Sequence, residues 1–205
     1  MKYLVSLIFL LIILSSFIYP SADVKVAEWY GNADGALSIT FDDGDENQYL
    51  LAYPLMEKYG IKGSFGIVTS WVGKTVEEPE NVLIRRMSWE QICSLGDSEI
   101  ASHSCTHALL TECNEKELLA EIHNSKRIIE GHTKKKCITM HYPYSQTNEE
   151  IKEILENSGY LCARTLDSKI NTDPDLYEIA SYAAFDDAHP SLEELKELIN
   201  ETKEE

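Results

Sequence analysis

The sequence predicts a single α/β domain in which short strands alternate with helices. Apolar runs rich in β-branched residues alternate with segments in which apolar residues recur every three or four positions. No internal repeat or linker-like composition interrupts this alternation. The length of 205 residues is sufficient for one domain with a sizeable hydrophobic core.

The N-terminal segment has the composition of a secretory signal. Lys2 precedes an apolar run of 17 residues, 3–19, which is followed by small residues up to Ala22. This pattern predicts a signal peptide over residues 1–22 and export of a domain that spans residues 23–205. Because 17 apolar residues approach the length of a membrane span, an uncleaved anchor is the alternative.

The first half of the predicted domain contains three strands, two helices and one irregular segment. Pro54 should kink or break the first helix and Gly60 should end it, while Ser88 should cap the second helix. In chain order the elements are a strand at 38–41, a helix at 47–59, a strand at 61–70, an irregular charged surface segment at 71–86, a helix at 88–96 and a strand at 100–102.

The second half continues the alternation and ends in an acidic helix. Asn114 and Glu117 are typical of an N-cap and first helical turn, and Gly131 marks the expected end of that helix. Ser191 should cap the last helix, with Glu194 three residues later. In chain order the elements are a helix at 114–131, a strand at 137–140, a helix at 148–157, a strand at 161–165 and a helix at 191–205.

Two polar motifs follow predicted strands. Asp42 and Asp43 come directly after the strand at 38–41, whereas His103 and His107 follow the strand at 100–102. Either motif alone has an ordinary interpretation, a turn for the carboxylates and a coincidence for the histidines. A spacing of four places both imidazoles on one side of a helical turn.

Together these residues suit a metal-dependent hydrolase. In α/β proteins the carboxyl ends of strands collect catalytic groups. One carboxylate and two histidines form a facial ligand set for a divalent transition metal and leave positions open for water and substrate. The second carboxylate is then free to act as a base.

The motifs carry a resemblance to a known family. The chain contains Thr-Phe-Asp-Asp-Gly at 40–44, His-Ser-Cys-Thr-His at 103–107 and Met-His-Tyr-Pro-Tyr-Ser at 140–145. In this respect it resembles the polysaccharide deacetylase family of carbohydrate esterases, over about residues 35 to 200. The resemblance implies a distorted, incomplete (β/α) barrel that lacks its last strand, and a catalytic domain shortened at its C-terminal end.

The resemblance also implies the roles of the site residues. Asp43, His103 and His107 would hold a divalent metal, most often Zn²⁺, with Co²⁺ or Fe²⁺ as alternatives for the same ligands. Asp42 would act as the general base, and the backbone N–H of Tyr144 would bind the oxyanion. The implied reaction is hydrolysis of the N-acetyl amide of an N-acetylated glycan, with release of acetate.

The sequence departs from the family pattern at three points. The arginine that opens the third motif and orients the base is replaced by His141. Either His141 or Arg164, on the next strand, would then orient Asp42. The fourth motif lacks its tryptophan, and Asp167 is the nearest candidate for its acid. The late histidine that serves as general acid in the family has no counterpart here, since His189 lies in a loop-like segment.

These departures leave three functions open. The first is an exported, metal-dependent glycan deacetylase. The second is a catalytically silent relative that holds a metal and binds glycan at the cell surface, which the change at His141 favours. The third is a deacetylase or amidase for a small or non-carbohydrate amide. An intact Asp42 favours an enzyme, because a pure binding protein would not need a base.

Charge and cysteine content limit the partners. Without residues 1–22 the chain carries 17 basic and 35 acidic residues, a net charge of −18. Such a surface excludes nucleic acid and anionic membranes as partners, so membrane contact is expected only through an uncleaved N-terminal segment. We expect a monomer. The five cysteines are an odd number without tight spacing, and Cys105, between the histidines, is expected to be a packing residue.

Overall fold

The computed structural model describes residues 36–171, 175–184 and 191–201. The predicted signal peptide at 1–22 and His189 lie outside the described residues. Five parallel strands form the main sheet, in the order β1-β2-β5-β6-β7, and two antiparallel strands form a separate hairpin. The strands are β1 (Ile39–Phe41), β2 (Gly63–Ile67), β3 (Thr75–Glu78), β4 (Val82–Arg85), β5 (Glu99–Ser102), β6 (Thr139–His141) and β7 (Cys162–Arg164).

Five α-helices accompany these strands in the described residues. A π-helical turn, Gln48–Ala52, leads directly into the first of them. Short 3₁₀ turns occur at Pro79–Asn81, Leu110–Glu112 and Pro143–Ser145. The α-helices are α1 (Tyr53–Lys58), α2 (Trp89–Cys93), α3 (Glu115–Thr133), α4 (Glu149–Asn157) and α5 (Leu192–Glu201). Within the part of the chain that is described, no helix is both long and apolar enough to cross a membrane.

The main sheet is an incomplete (β/α) barrel, as the sequence predicts. Beyond β7 the sheet is extended by a short ladder, in which Thr165 N–H donates to Ile179 at 2.8 Å and Ile179 N–H donates to Ala163 at 2.9 Å. Of the residues described after this ladder, only those of α5 form a regular element. All strand pairs in the main sheet are parallel, so their carboxyl ends meet at one edge.

The predicted helix starts are confirmed. Ser88 and Gln91 form a reciprocal capping box at α2, and Asn114 and Glu117 form another at α3. Such caps depend on residues three apart in sequence, which makes them visible without tertiary information. At α5, the Glu194 carboxylate accepts from the Ser191 N–H at 2.6 Å and the Glu194 N–H donates to the serine hydroxyl at 3.2 Å.

Pro54 marks a break in the first helix, as the sequence predicts: the π-helical turn Gln48–Ala52 ends where α1 begins, and Pro54 lies in the first turn of α1. Two other sequence-based expectations for the elements are wrong in detail. The segment expected to be irregular contains the β3–β4 hairpin, which turns at Asn81 with φ of 60°. Helix α3 continues past Gly131 and ends before Lys134, which adopts a left-handed φ of 59°.

The hydrophobic core lies between the sheet and its helices. Strand residues and helix residues of this core form one cluster with less than about 4% exposure each. This cluster fixes the strands and therefore the side chains at their carboxyl ends. Its members on the main sheet and on α3 and α4 are Phe65, Ile67, Ile100, Met140, Ala163, Leu118, Ile122, Ile129, Ile151 and Leu155.

Candidate active site

Four parallel strands bring polar side chains to the same edge of the sheet. Asp42 and Asp43 follow β1, and His103 follows β5. His141 and Arg164 are the last residues of β6 and β7. Because the strand order places β6 between β5 and β7, His141 lies between the histidine motif and the arginine. Of the residues that the sequence predicts at this site, His107 and Tyr144 lie on loops farther from the strand ends.

Asp43, His103 and His107 form a triangle of potential metal ligands. The Nε2 atoms of the two histidines are 3.1 Å apart, and Asp43 Oδ1 is 3.6 Å from each of them. Ligands about 2.0–2.2 Å from a zinc ion are separated by about 3 Å when they subtend ordinary coordination angles. The spacing of these three atoms therefore fits a small divalent ion.

The hydrogen bonding of these residues also fits a metal. His103 Nδ1 lies 2.7 Å from the backbone carbonyl of His141, and since a carbonyl only accepts, this nitrogen carries the proton. The lone pair on Nε2 then points into the triangle. Asp43 Oδ1 is buried and has no hydrogen-bond partner among the described residues. A cation between these atoms would relieve the mutual repulsion of their lone pairs.

The two histidines are not on a helical turn, contrary to the expectation from their spacing. His103 is extended at the end of β5, and the following loop contains left-handed residues, Ser104 at φ of 65° and His107 at φ of 63°. The His107 N–H donates to the Ser104 hydroxyl at 2.9 Å. The imidazoles therefore converge through a strained turn, which costs backbone energy that other contacts must offset.

Glu121 on α3 supplies those contacts, although no sequence pattern indicates such a role for it. Its buried carboxylate accepts from the N–H groups of Cys105 and Thr106 at 2.9 Å each, and from the Thr106 hydroxyl at 2.8 Å. The thiol of Cys105 points to the Ala120 carbonyl of the same helix, as expected for a packing residue. One carboxylate thus holds the middle of the histidine loop against the barrel.

Asp42 contacts both residues that were candidates for orienting it. Its Oδ1 lies 2.8 Å from His141 Nδ1, and the Arg164 guanidinium contacts both carboxylate oxygens at 2.5 Å. Burial by itself would raise the pKa of Asp42, but the hydrogen bond to His141, the nearby imidazoles and Arg164 together hold this pKa well below its usual value. Asp42 is therefore ionised at neutral pH.

His141 is fully buried beside this carboxylate. Burial lowers the pKa of His141, and the positive charge of Arg164 acts in the same direction, while Asp42 opposes them. The imidazole is therefore neutral at neutral pH and donates its Nδ1–H to Asp42. Arg164 provides the charge at this site and His141 provides one directed hydrogen bond, so both predicted candidates contact the carboxylate.

Arg86, at the end of β4, is a second residue that the sequence did not single out. It is 2% exposed and forms ion pairs with Asp45 and Glu78, while its Nη1 lies 4.0 Å from Asp43. Its guanidinium also packs on the Trp71 ring at 4.6 Å. Arg86 thereby connects the hairpin to the turn that carries the carboxylates.

Two aromatic rings flank His107. Trp71 lies with its ring centroid 5.2 Å away, and Tyr144 lies at 4.6 Å with 60% of its surface exposed. Tyr144 adopts a left-handed conformation with φ of 57° directly after Pro143. The two rings cover His107, so a substrate can approach the candidate metal site only from the side that they leave open.

Asp167 is the candidate acid from the fourth motif. Its carboxylate accepts a hydrogen bond from the Thr165 hydroxyl at 2.5 Å.

Comparison with protein families identifies this arrangement. The model of the polysaccharide deacetylase family matches residues 31–163, which contain all three motifs. The chain belongs to the polysaccharide deacetylase family. Curated relatives of the chain include the putative polysaccharide deacetylase YxkH of Bacillus subtilis, 29% identical over 122 residues, which represent 60% of this chain and 41% of YxkH.

A second relative has a more specific name. The poly-beta-1,6-N-acetyl-D-glucosamine N-deacetylase of Staphylococcus aureus is 27% identical over 166 residues, which cover 75% of this chain and 56% of that protein. The chain therefore spans about half the length of the curated relatives that it matches.

Solved structures share the fold of this chain. IcaB from Ammonifex degensii superposes with a TM-score of 0.66 at 22% identity, covering 81% of this chain and 72% of IcaB. The Streptococcus pyogenes deacetylase PplD, solved in complex with acetate, superposes with a TM-score of 0.65 at 20% identity, covering 78% and 68%. At this identity the likeness concerns the fold alone.

Proposed function

We propose that this protein is a metal-dependent deacetylase that hydrolyses the N-acetyl amide of an N-acetylated glycan and releases acetate. The observation that carries the proposal is the position of the ionised carboxylate of Asp42 beside the triangle of Asp43, His103 and His107. Family membership and a relative named as an N-acetylglucosamine polymer deacetylase support the substrate class.

Asp43, His103 and His107 would hold the metal, for which their nitrogen and carboxylate donors favour Zn²⁺, with Co²⁺ and Fe²⁺ as alternatives. A metal bound there would lower the pKa of a bound water and polarise the amide carbonyl. The hydrogen bond from His103 to the His141 carbonyl keeps the ligating nitrogen unprotonated. Arg86 and Glu121 keep the carboxylate turn and the histidine loop in place.

Asp42 would act as the general base. It would accept a proton from the attacking water as the carbon–oxygen bond forms, and the carbon–nitrogen bond would then break as the leaving nitrogen takes up the proton that Asp42 holds. Arg164 and His141 hold the carboxylate in one orientation and favour its ionised form before the reaction. The base is therefore already ionised at neutral pH.

The backbone N–H of Tyr144 would stabilise the oxyanion that develops on the amide carbonyl. The left-handed conformation at Tyr144, which follows the rigid Pro143, sets the direction of this peptide unit. The ring of Tyr144 against His107 places the same turn next to the metal ligands. The proposed oxyanion donor, the Tyr144 N–H, therefore belongs to the side of the candidate site that carries His107.

The remaining features fit export. We infer that residues 1–22 are a signal peptide, or else an uncleaved anchor, and that the protein acts as a monomer outside the cytoplasm. Its net charge of −17 disfavours nucleic acid and suits neutral or partly cationic glycans. The enzyme would then meet its substrate at or beyond the cell surface.

Acetate release tests this proposal. The purified protein is stripped with a chelator, reloaded with Zn²⁺ or Co²⁺ and incubated with β-1,6- and β-1,4-linked N-acetylglucosamine oligomers. We expect metal-dependent acetate that is lost in Asp42→Asn and retained in the matched control Asp97→Asn, which removes an exposed carboxylate paired with Lys62.

Binding without turnover would support the second candidate function. If the metal-loaded protein binds these oligomers but releases no acetate, the protein is a silent glycan-binding relative. The replacement of the family arginine by His141 is the feature that favours this candidate. Acetate release that persists in Asp42→Asn would contradict the assigned base.

A further inference from the structure

A hydrogen-bonded chain of three side chains crosses the barrel from β2 to Asp42. The Ser64 hydroxyl lies 3.2 Å from His141 Nε2, and His141 Nδ1 lies 2.8 Å from Asp42 Oδ1. Ser64 is 6% exposed and His141 is 1% exposed. Ser64 is 77 positions from His141 in the sequence, and His141 is 99 positions from Asp42, so no local pattern connects the three residues.

The order serine, histidine, aspartate is that of a hydrolytic triad, but its accessibility is reversed. In such a triad the serine faces the substrate and the aspartate is buried. Here the serine hydroxyl is buried inside the barrel, whereas the aspartate side chain is 28% exposed and lies beside the metal ligands. The working end of this chain is the carboxylate, and Ser64 is not a nucleophile.

The chemistry of imidazole explains what Ser64 does. A neutral imidazole has one nitrogen that donates and one that accepts. Both oxygens of Asp42 lie 2.5 Å from Arg164 Nη2, which can only donate, so Asp42 acts as the acceptor here. His141 therefore donates from Nδ1, and Nε2 of a ring with one proton must then accept. Ser64 is the hydroxyl donor within reach of Nε2. Without it, the lone pair of a fully buried nitrogen would have no partner, which is unfavourable.

The cavity around the ring is shaped for this arrangement. A Cβ at Gly66, two residues after Ser64 on β2, would lie 2.5 Å from His141 Nδ1 and 3.1 Å from Asp42 Oδ1. Alternate residues of a strand face the same side, so Ser64 and Gly66 together form the wall against which the imidazole lies. The ring is thus fixed by the glycine beside Nδ1 and by the serine at Nε2.

We propose that Ser64 is a positioning residue for Asp42. Ser64 acts through His141, because its hydroxyl keeps the imidazole in the tautomer that carries its proton on Nδ1. Its effect on turnover rests on the proposed deacetylase function, but its effect on the ring does not. Loss of the hydroxyl allows the ring to rotate towards another partner, and Asp42 then loses one of its orienting hydrogen bonds while Arg164 remains.

Two kinds of measurement test the proposal on the purified zinc-loaded protein. Nitrogen NMR of the histidine rings, with His141 assigned from a His141→Gln sample, reports which nitrogen is protonated. Acetate release reports kcat and KM. The variants are Ser64→Ala and Ser64→Thr, which retains the hydroxyl, and Ser125→Ala is the matched control because it removes another buried hydroxyl, on α3.

The wild type should show a protonated Nδ1 and a hydrogen-bonded, unprotonated Nε2 at His141. In Ser64→Ala we expect altered ring signals and a decrease in kcat of about tenfold with little change in KM, because one orienting hydrogen bond is weakened. Ser64→Thr should restore both readouts, and Ser125→Ala should change neither.

Two results would overturn the proposal. One is a wild-type His141 with its proton on Nε2. The other is a folded Ser64→Ala variant in which the ring signals and kcat both equal those of the wild type. If the wild type releases no acetate from any oligomer, the proposed function fails, and the ring signals of wild type and variant still decide the role of Ser64.

Discussion

Asp42 is oriented by residues from two neighbouring strands rather than by one arginine. His141 at the end of β6 provides a single directed N–H, and Arg164 at the end of β7 places one guanidinium nitrogen, Nη2, 2.5 Å from both carboxylate oxygens. The other terminal nitrogen of Arg164, Nη1, donates to the Ser181 hydroxyl at 3.3 Å, which holds the guanidinium in place. His141 therefore contributes a directed hydrogen bond, and Arg164 contributes a positive charge in a fixed position.

Arg164→Lys separates these contributions. Lysine keeps the positive charge but is flexible and cannot hold one nitrogen on Asp42 and another on Ser181, so we expect kcat/KM for acetate release to fall about tenfold. Arg164→Met, which also removes the charge, should be worse. Zinc affinity, measured by competition with a chromogenic chelator, should remain within about threefold of the wild type in both. A lysine variant with full activity would show that the position of the guanidinium is unimportant.

Gly66 is a residue at which a single methyl group should be harmful. Gly66→Ala places a Cβ against the His141 ring and Asp42, and neither is the free end of a flexible side chain. We expect a loss of about 1–3 kcal/mol in the free energy of unfolding, measured by urea denaturation, together with reduced acetate release.

Gly131 provides the matched control for that substitution. A Cβ at Gly131, inside α3, would meet nothing within 4 Å. Gly131→Ala should therefore stabilise the protein by up to about 1 kcal/mol through helix propensity. Equal effects of the two alanines would show that the close approach at Gly66 is unimportant.

The sequence predicted which residues gather at the site better than it predicted how they are held. Asp43, His103 and His107 were grouped from their motifs, and the structure brings them together, although their roles remain proposals. Glu121, Arg86 and Ser64 are invisible to local patterns because each acts on a residue that is distant in sequence. Long-range hydrogen bonds leave no periodic signal in the chain.

At the scale of elements, helix α3 holds the loop between β5 and α3, which carries the two histidines of the candidate metal site. The loop needs two left-handed residues to bring its imidazoles together, and α3 compensates through the Glu121 carboxylate. The helix is in turn fixed by its capping box at Asn114 and by its buried apolar face. The precision of the histidine pair therefore depends on a helix that contributes no ligand.

Glu121→Gln tests this dependence with almost no change in volume. An amide replaces two charge-assisted hydrogen bonds by weaker ones and can turn its NH₂ group towards the loop N–H donors. We expect zinc affinity to fall about tenfold to hundredfold, as is typical when a group that supports metal ligands is changed. Glu153→Gln, an exposed position on α4, should leave the affinity unchanged.

The β3–β4 hairpin was missed for an identifiable reason. Its residues include Val82, Leu83 and Ile84, a short β-branched and apolar run, and the turn before them contains Pro79 and Asn81. These are hairpin signals, but the surrounding glutamates and lysines make the segment look like a solvated loop. The strands of the main sheet and the helix caps were predictable because they depend on neighbours a few residues apart.

At the scale of the whole molecule, the candidate metal site joins segments that follow β1 and β5. In the sheet, β2 lies between these strands. A bound ion would therefore link the segments that follow β1 and β5 across the intervening strand β2. Asp43 Oδ1 remains buried without a partner when no cation is present, which opposes folding of the metal-free protein. Metal binding and folding should therefore be coupled.

Removal of the metal should consequently lower the melting temperature. With free Zn²⁺ at 100 times its dissociation constant, the native state gains about 2.7 kcal/mol, which corresponds to roughly 5–11 °C for a protein of this size. Differential scanning fluorimetry with and without a chelator measures the difference. Asp43→Asn, which lacks the ligand charge, should show little response to zinc, and an equal response would contradict the ligand assignment.

His141 contributes to the candidate site through its side chain and through its backbone. The ring contacts Asp42 and Ser64, whereas the carbonyl accepts the proton of His103. The carbonyl contact does not depend on the side chain at position 141, so it survives any substitution there that leaves β6 in place. A substitution at this position can therefore alter the surroundings of Asp42 while the hydrogen bond that orients His103 stays unchanged.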